Sequence, residues 1–267
     1  MSLFKKTKII NVVKLSGIIA GDSKKNLSLS KIKCLIDKAF SSKKVSAVVF
    51  VINSPGGSPV QSEMIANYIM AKSKDTGIKV LTFIEDVAAS GGYWLALVGE
   101  EIYALSKSSI VGSLGVVYAS FGLEDFIAKH SINRRVHTAG TKKVSLDMFQ
   151  QEKKEDIERL KIMLSQVHEN FKLWVLSRRE NKITLNHEDL FSGEFWVSVL
   201  AEKYGLIDGI ALTLDSKLKE IYGEKIKIEY LTKKEGFLSR LPFMGNTNFE
   251  SIVSLFKEEI LKSKFGL

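Results

Sequence analysis

The chain has 267 residues, 45% of them hydrophobic, with 19 glycines, three prolines and one cysteine, which excludes a disordered or collagen-like chain, an internal disulfide and a thiolate metal site. Lysine plus arginine outnumber aspartate plus glutamate by 39 to 30, a net charge of +9. The basic residues are scattered, with no stripe interleaved with aromatics, so nucleic-acid binding is not expected, and an anionic membrane surface or plain solubility accounts for the charge.

At the amino end, Lys5, Lys6 and Lys8 precede an apolar stretch that Lys14 interrupts. It is too short and too broken for a signal peptide or a membrane span, so the expected location is cytoplasmic or peripheral at a membrane. Residues 11–19 (NVVKLSGII) read as a first buried strand. Residues 28–42 read as a helix capped by Ser28 or Ser30, with Cys34 as a packed thiol on its apolar face. VSAVVFVIN (45–53) is a continuous β-branched run, the mark of a strand buried on both faces. Ser58 and Pro59 suit the cap and first position of a helix over 58–75. KVLTFIE (79–85) predicts another buried strand, 90–99 a short helix and EIYAL (101–105) a strand. Strands and helices alternating at this spacing predict an α/β fold with a mainly parallel sheet.

Beyond these, 122–132 reads as a helix, RRVHTAG (134–140) as a short strand, and 151–180 as a long amphipathic helical arm. The arm's apolar stripe is Leu160, Met163, Leu164, Val167, Phe171, Trp174 and Val175. Residues 190–211 read as a loop and a helix ending at Gly205. A domain over 1–231 is expected, followed over 232–267 by a linker and a second amphipathic helix suited to packing, self-association or a membrane surface.

Two loops follow buried strands: NSPGGSPV (53–60) and DVAASGG (86–92). In an open parallel sheet, sites form beyond the carboxyl ends of the strands, so both loops are expected on one side. The glycine pair 56–57 sits where backbone N–H groups can face a ligand, as in an oxyanion hole, or where a turn simply needs positive φ. No GK[ST] follows, so this is not a phosphate loop. Ser90 is a candidate nucleophile or a plain helix cap, and its surroundings are not GxSxG. A nucleophilic serine needs a base. His137 and His168 are available, though no histidine lies in a loop built like a site, and HExxH metal spacing is absent. Lys142 and Lys143 offer the other choice, a lysine kept neutral by burial.

INSPGG, AASGGYW, GSLGVV and AGTKK, in this order, resemble the signal peptide peptidase family of the SppA/SohB type, over about residues 12 to 225. That resemblance implies a serine–lysine peptidase on a Clp protease/crotonase-like spiral of mostly parallel strands. It implies Ser90 as nucleophile, Lys143 as general base, Gly57 and Gly91 as backbone oxyanion donors, and Ser113 as the residue that orients the lysine. It further implies peptide substrates, a homo-oligomer, and no metal or cofactor. Family members usually carry an amino-terminal membrane anchor that this sequence does not show, and the longer ones split the dyad between two tandem copies, whereas here one copy holds both Ser90 and Lys143. Two other classes use the same scaffold: a crotonase-like acyl-CoA enzyme, and a non-catalytic oligomeric scaffold that binds peptides.

Overall fold

The computed structural model describes residues 7–21 and 26–232, so the stretch 233–267, with the expected carboxyl-terminal helix, lies outside the described residues. The first elements follow the alternation expected from sequence: β1 (Lys8–Ser16), α1 (Leu29–Ala39), β2 (Val45–Ser54), α2 (Pro59–Thr76), β3 (Lys79–Ala89), α3 (Gly91–Ala96), β4 (Glu101–Ala104) and β5 (Ile110–Gly112). Then come α4 (Glu124–Lys129), α5 (Lys154–Arg179), α6 (His187–Leu190), β6 (Phe195–Val197), α7 (Ser198–Lys203), β7 (Gly209–Ile210), α8 (Leu214–Tyr222) and β8 (Ile226–Leu231). The chain divides into two compact units, one of Met1–Leu114 with Trp174–Leu267, the other Gly115–Leu173.

The first unit holds a mixed α/β fold around a mostly parallel sheet in the order β6-β5-β3-β2-β1-β8, with β4 and β7 branching from β3. Only the β5–β6 pair is antiparallel among the described strands. β2 lies inside the sheet between β1 and β3, and its run Ala47–Phe50 is wholly buried, as a β-branched strand covered on both faces should be. α2 starts where Ser58 accepts the Gln61 N–H at 3.3 Å and ends at Gly77, whose φ of 69° lets the chain turn back to β3.

β3 runs four residues further than the hydrophobic run predicts. It does so by changing neighbours: Leu81–Ile84 pair with β4, and Val87–Ala89 pair with β5. This extension carries the strand up to Ser90. β5 and β8 had no clear signal in the sequence, the first for its three residues and the second because its burial alternates at a sheet edge. The stretch 134–140, expected as a strand, is irregular. It lies in the second unit, where Arg134 pairs with Asp147 at 2.6 Å and stacks on Phe149, and among the described residues no strand pairs with it. Among the described residues, no helix is long and apolar enough to cross a membrane.

The last turns of α5 belong to the first unit and are anchored by an ion pair. Arg179, with 2% of its side chain exposed, donates to Gly205 O at 2.7 and 2.9 Å and to Asp208 at 2.8 Å. Asp208 also accepts from Lys182 at 2.6 Å and from the Ile102 N–H at 2.8 Å, which ties β4 to the same carboxylate. Burial pushes the Asp208 carboxyl up, but the Arg179, Lys182 and Ile102 hydrogen bonds outweigh it and hold it below the ordinary carboxylate range. Asp208→Asn leaves a buried guanidinium without its counter-charge, and the expected loss of stability is about 3 kcal/mol in urea unfolding at neutral pH. Because the folded value is depressed, this advantage is present above the ordinary carboxylate value and disappears as pH falls through the folded one. The wild-type and Asp208→Asn midpoints should therefore converge in strong acid; a gap that stays constant from neutrality to strong acid contradicts this account.

Candidate active site

β2 and β3 are neighbouring parallel strands, with Ser54 opposite Ala88, so the loops that follow them leave from the same carboxyl edge of the sheet, as expected. Ser90 stands at the mouth of the second loop. Its backbone lies at φ 52°, ψ −120°, a region a serine rarely occupies. Its N–H donates to Gly112 O at 2.8 Å, and its carbonyl accepts the Trp94 N–H at 3.0 Å. The Ser90 side chain makes no capping hydrogen bond to α3, unlike Ser58 on the other loop, so the plain-cap alternative fits Ser58 and not Ser90.

The two loops meet backbone against backbone. A Cβ added to Gly56 would lie 2.8 Å from both Ala89 O and Gly91 N, and one added to Gly92 only 2.2 Å from Ser54 O. At Gly57 it would sit 2.0 Å from Ile19 O, and at Gly91 2.4 Å from Ser62 Oγ and 3.4 Å from Gly57 N. Side chains at these positions would force the loops apart. Gly57 faces Ile19 in a short parallel bridge made by Ile19 N–H to Gly56 O (2.8 Å) and Ser58 N–H to Ile19 O (2.6 Å). That pattern uses the groups on either side of Gly57 and leaves the Gly57 N–H outside the ladder. Gly56, by contrast, gives its N–H to Ser54 Oγ at 3.2 Å. Gly91 is the first residue of α3, whose N–H has no acceptor within the helix. Two neighbouring amides thus stay uncommitted beside Ser90, the arrangement that stabilises an oxyanion.

Ser113 directly follows the residue whose carbonyl holds Ser90. It is buried at φ 55°, and its N–H donates to Glu194 O at 2.6 Å. The fold thus collects Ser90, Gly57, Gly91 and Ser113 at one place in the first unit. Lys142 and Lys143 belong to the second unit, where both are exposed in a turn whose Lys143 N–H reaches Gly140 O at 3.2 Å. Neither is buried, as a lysine kept neutral by burial was expected to be.

Sequence reasoning overlooked two supporting serines. Ser54 Oγ donates to Gly17 O at 2.7 Å while accepting from Gly56, which pins the first loop to β1. Ser62 Oγ donates to Ser58 O at 3.0 Å and lies against Gly91. Both are buried, and their signal was only that the SPGGSPVQS run is rich in small hydroxyl residues. Tyr93, fully buried behind the turn, donates to Leu206 O at 2.7 Å, and burial pushes its hydroxyl far above the ordinary tyrosine value. Among the described residues, no three His, Cys, Asp or Glu side chains cluster as metal ligands would.

The model of peptidase family S49 matches residues 72–221, more than half of the chain and a span that includes Ser90, Ser113 and Lys143. The chain belongs to peptidase family S49. Its relatives in that family include a putative protease SohB of Buchnera aphidicola subsp. Baizongia pistaciae, 30% identical over 222 residues, which covers 82% of this chain and 61% of that protein. A putative signal peptide peptidase SppA of Enterococcus faecium is 27% identical over 271 residues, 92% of this chain and 77% of that protein. A Brucella melitensis protein named Na(+)/H(+) antiporter NhaA is 48% identical over 240 residues, 88% of this chain. The chain spans only 32% of that protein, and an antiporter's name describes a membrane transporter rather than an S49 segment.

The close approach of Gly92 to Ser54 O predicts that Gly92→Ala costs about 2 kcal/mol or more, because backbone on both sides must shift. Gly21→Ala, where an added Cβ meets nothing within 4 Å, should stay within about 0.5 kcal/mol of wild type. Equal urea midpoints for the two variants would contradict the packing described.

Proposed function

We propose that the chain is a serine-type endopeptidase with a Ser90–Lys143 dyad, on a Clp protease/crotonase-like fold, that hydrolyses peptide bonds in small peptides or unfolded segments. The single observation that carries this reading is Ser90 itself: a serine held at positive φ, not used as a cap, beside two uncommitted amides. The Enterococcus relative, named as a putative signal peptide peptidase, supports signal-peptide remnants as one substrate class.

In this mechanism Ser90 Oγ attacks the peptide carbonyl carbon and its proton passes to the neutral Lys143 amine. The Gly57 and Gly91 N–H groups hold the oxyanion, and Ser113 orients the lysine. As the tetrahedral intermediate collapses, the C–N bond breaks and the leaving amine takes the proton from Lys143. Water, deprotonated by Lys143, then hydrolyses the Ser90 ester and restores the enzyme. The mechanism requires Lys143 neutral, which exclusion of water from its amine would favour.

Ser90→Ala should fold as wild type and lose peptidase activity by at least about a thousandfold. A fluorophosphonate should modify Ser90 alone, read by intact mass and peptide mapping. Labelling at Ser58 or Ser113 would overturn the assignment. An acyl-CoA enzyme predicts no labelling together with turnover of a thioester, and a scaffold predicts peptide binding with neither.

The base is tested separately. Lys143→Ala should lose activity by about a hundredfold or more, while Lys142→Ala should stay within about threefold of wild type in peptide hydrolysis. The opposite pattern shifts the base by one residue. Two active variants would reject the dyad and return the choice to His137 or His168.

A further inference from the structure

We infer that Arg178 and Trp174 are positioning residues that hold the Ser90 turn from the far end of α3; the inference rests on the reading of Ser90 as nucleophile. α3 is six residues long and begins with two glycines, so it has neither the length nor the composition to hold itself. Its backbone acceptors show what does. Ser90 O takes the Trp94 N–H, Leu95 O takes the Val98 N–H, and Ala96 O takes both the Gly99 N–H and Thr82 Oγ1. Tyr93 O takes the Leu97 N–H, and the carbonyls of Trp94, Leu97 and Gly99 are met from outside by α5. Trp174 Nε1 donates to Trp94 O at 3.1 Å, and Arg178 forks across the helix end, Nε to Leu97 O at 2.9 Å and one terminal nitrogen to Gly99 O at 3.1 Å.

The two side chains act as one unit. They sit four residues apart on α5, and the Arg178 guanidinium lies 5.9 Å from the Trp174 ring centre, a stacking distance for a cation on an aromatic face. The cation also stands at the carboxyl end of α3, where charge of that sign is favoured. The link to Ser90 is short. Trp94 gives its N–H to Ser90 O and its carbonyl to Trp174, so Trp94 is fixed at both backbone groups between the serine and α5. A strained residue keeps its geometry only when its surroundings over-determine it. Gly112 O and the packed glycines do this on one side of Ser90, and α3, gripped by Arg178 and Trp174, does it on the other.

The test separates position from folding by following fluorophosphonate modification of Ser90 over time in the intact chain. Arg178→Met keeps the aliphatic stem and loses the fork, and Trp174→Phe loses the indole N–H. A positioning role predicts that every molecule is eventually labelled but more slowly. The rate constant should fall about tenfold for Arg178→Met and about threefold for Trp174→Phe, with Arg178→Lys between Arg178→Met and wild type because an ammonium cannot fork. A merely structural role predicts the reverse: a smaller labelled fraction, from partial unfolding, at the wild-type rate constant. That result, or unchanged kinetics, overturns the inference. If Arg178→Met does not fold, Trp174→Phe and Arg178→Lys decide. Failure of the serine reading would look different, since wild type itself would then not be labelled at Ser90.

Discussion

At Ser90 the backbone sits at φ 52°, ψ −120°, a conformation that costs about 1–3 kcal/mol for a residue with a Cβ, and three backbone segments crowd around it to keep it there. Gly112 O takes its N–H, the Gly56–Gly57 turn lies against the next residue, and Gly92 presses on Ser54 O. The first comes from β5, paired with the end of β3; the other two need the loops after β2 and β3 side by side, which needs β2 and β3 paired in parallel, which in turn needs α2 to cross between them. The Ser58 cap, next to Gly57, and the Gly77 turn at the other end of α2 are therefore part of the same constraint. The glycines follow from it as well: Gly57 and Gly92 are required by what an added Cβ would strike, Gly56 by both its φ of 100° and its neighbours.

The sheet through β4 was legible because each buried strand is a run of branched apolar residues, and α2 between β2 and β3 has both a serine cap and a glycine stop. The site loops were legible for the same reason, since glycines directly after a buried strand have few uses apart from close approach. β5 was not, because Ile110–Gly112 has too few residues to carry a period, and its strand character comes from the end of β3 and from β6, more than eighty residues on. Which of the Gly56 and Gly57 amides is left free of a partner was also hidden from the residue pattern alone. It turns on Ser54 Oγ, which occupies the Gly56 amide, and that contact exists only once β2 has ended beside β1. The strand expected over 134–140 failed for a related reason: residues suited to extension make a ladder only when an edge is offered, and there Arg134 finds Asp147 instead.

α5 shows how far a periodic pattern can mislead about where a helix is held. The stripe from Leu160 to Val175 marks an amphipathic helix correctly, yet Met163 on it is 53% exposed, while Phe171 and Val175 near the end are buried. The firm attachments to the first unit are polar. Trp174, Arg178 and Arg179 spend five N–H donors on the carbonyls of Trp94, Leu97, Gly99 and Gly205, and Arg179 adds the Asp208 pair. A burial-based reading counts such residues as a solvated face, because arginine is seldom buried unless paired. The carbonyls of short helices and turns change that balance, since a buried acceptor left unmet costs about 1–3 kcal/mol and a guanidinium meets two at once. In this chain the short helix behind Ser90 creates the unmet carbonyls, and the end of α5 answers them, with Trp174 from its stripe and Arg178 from the polar side.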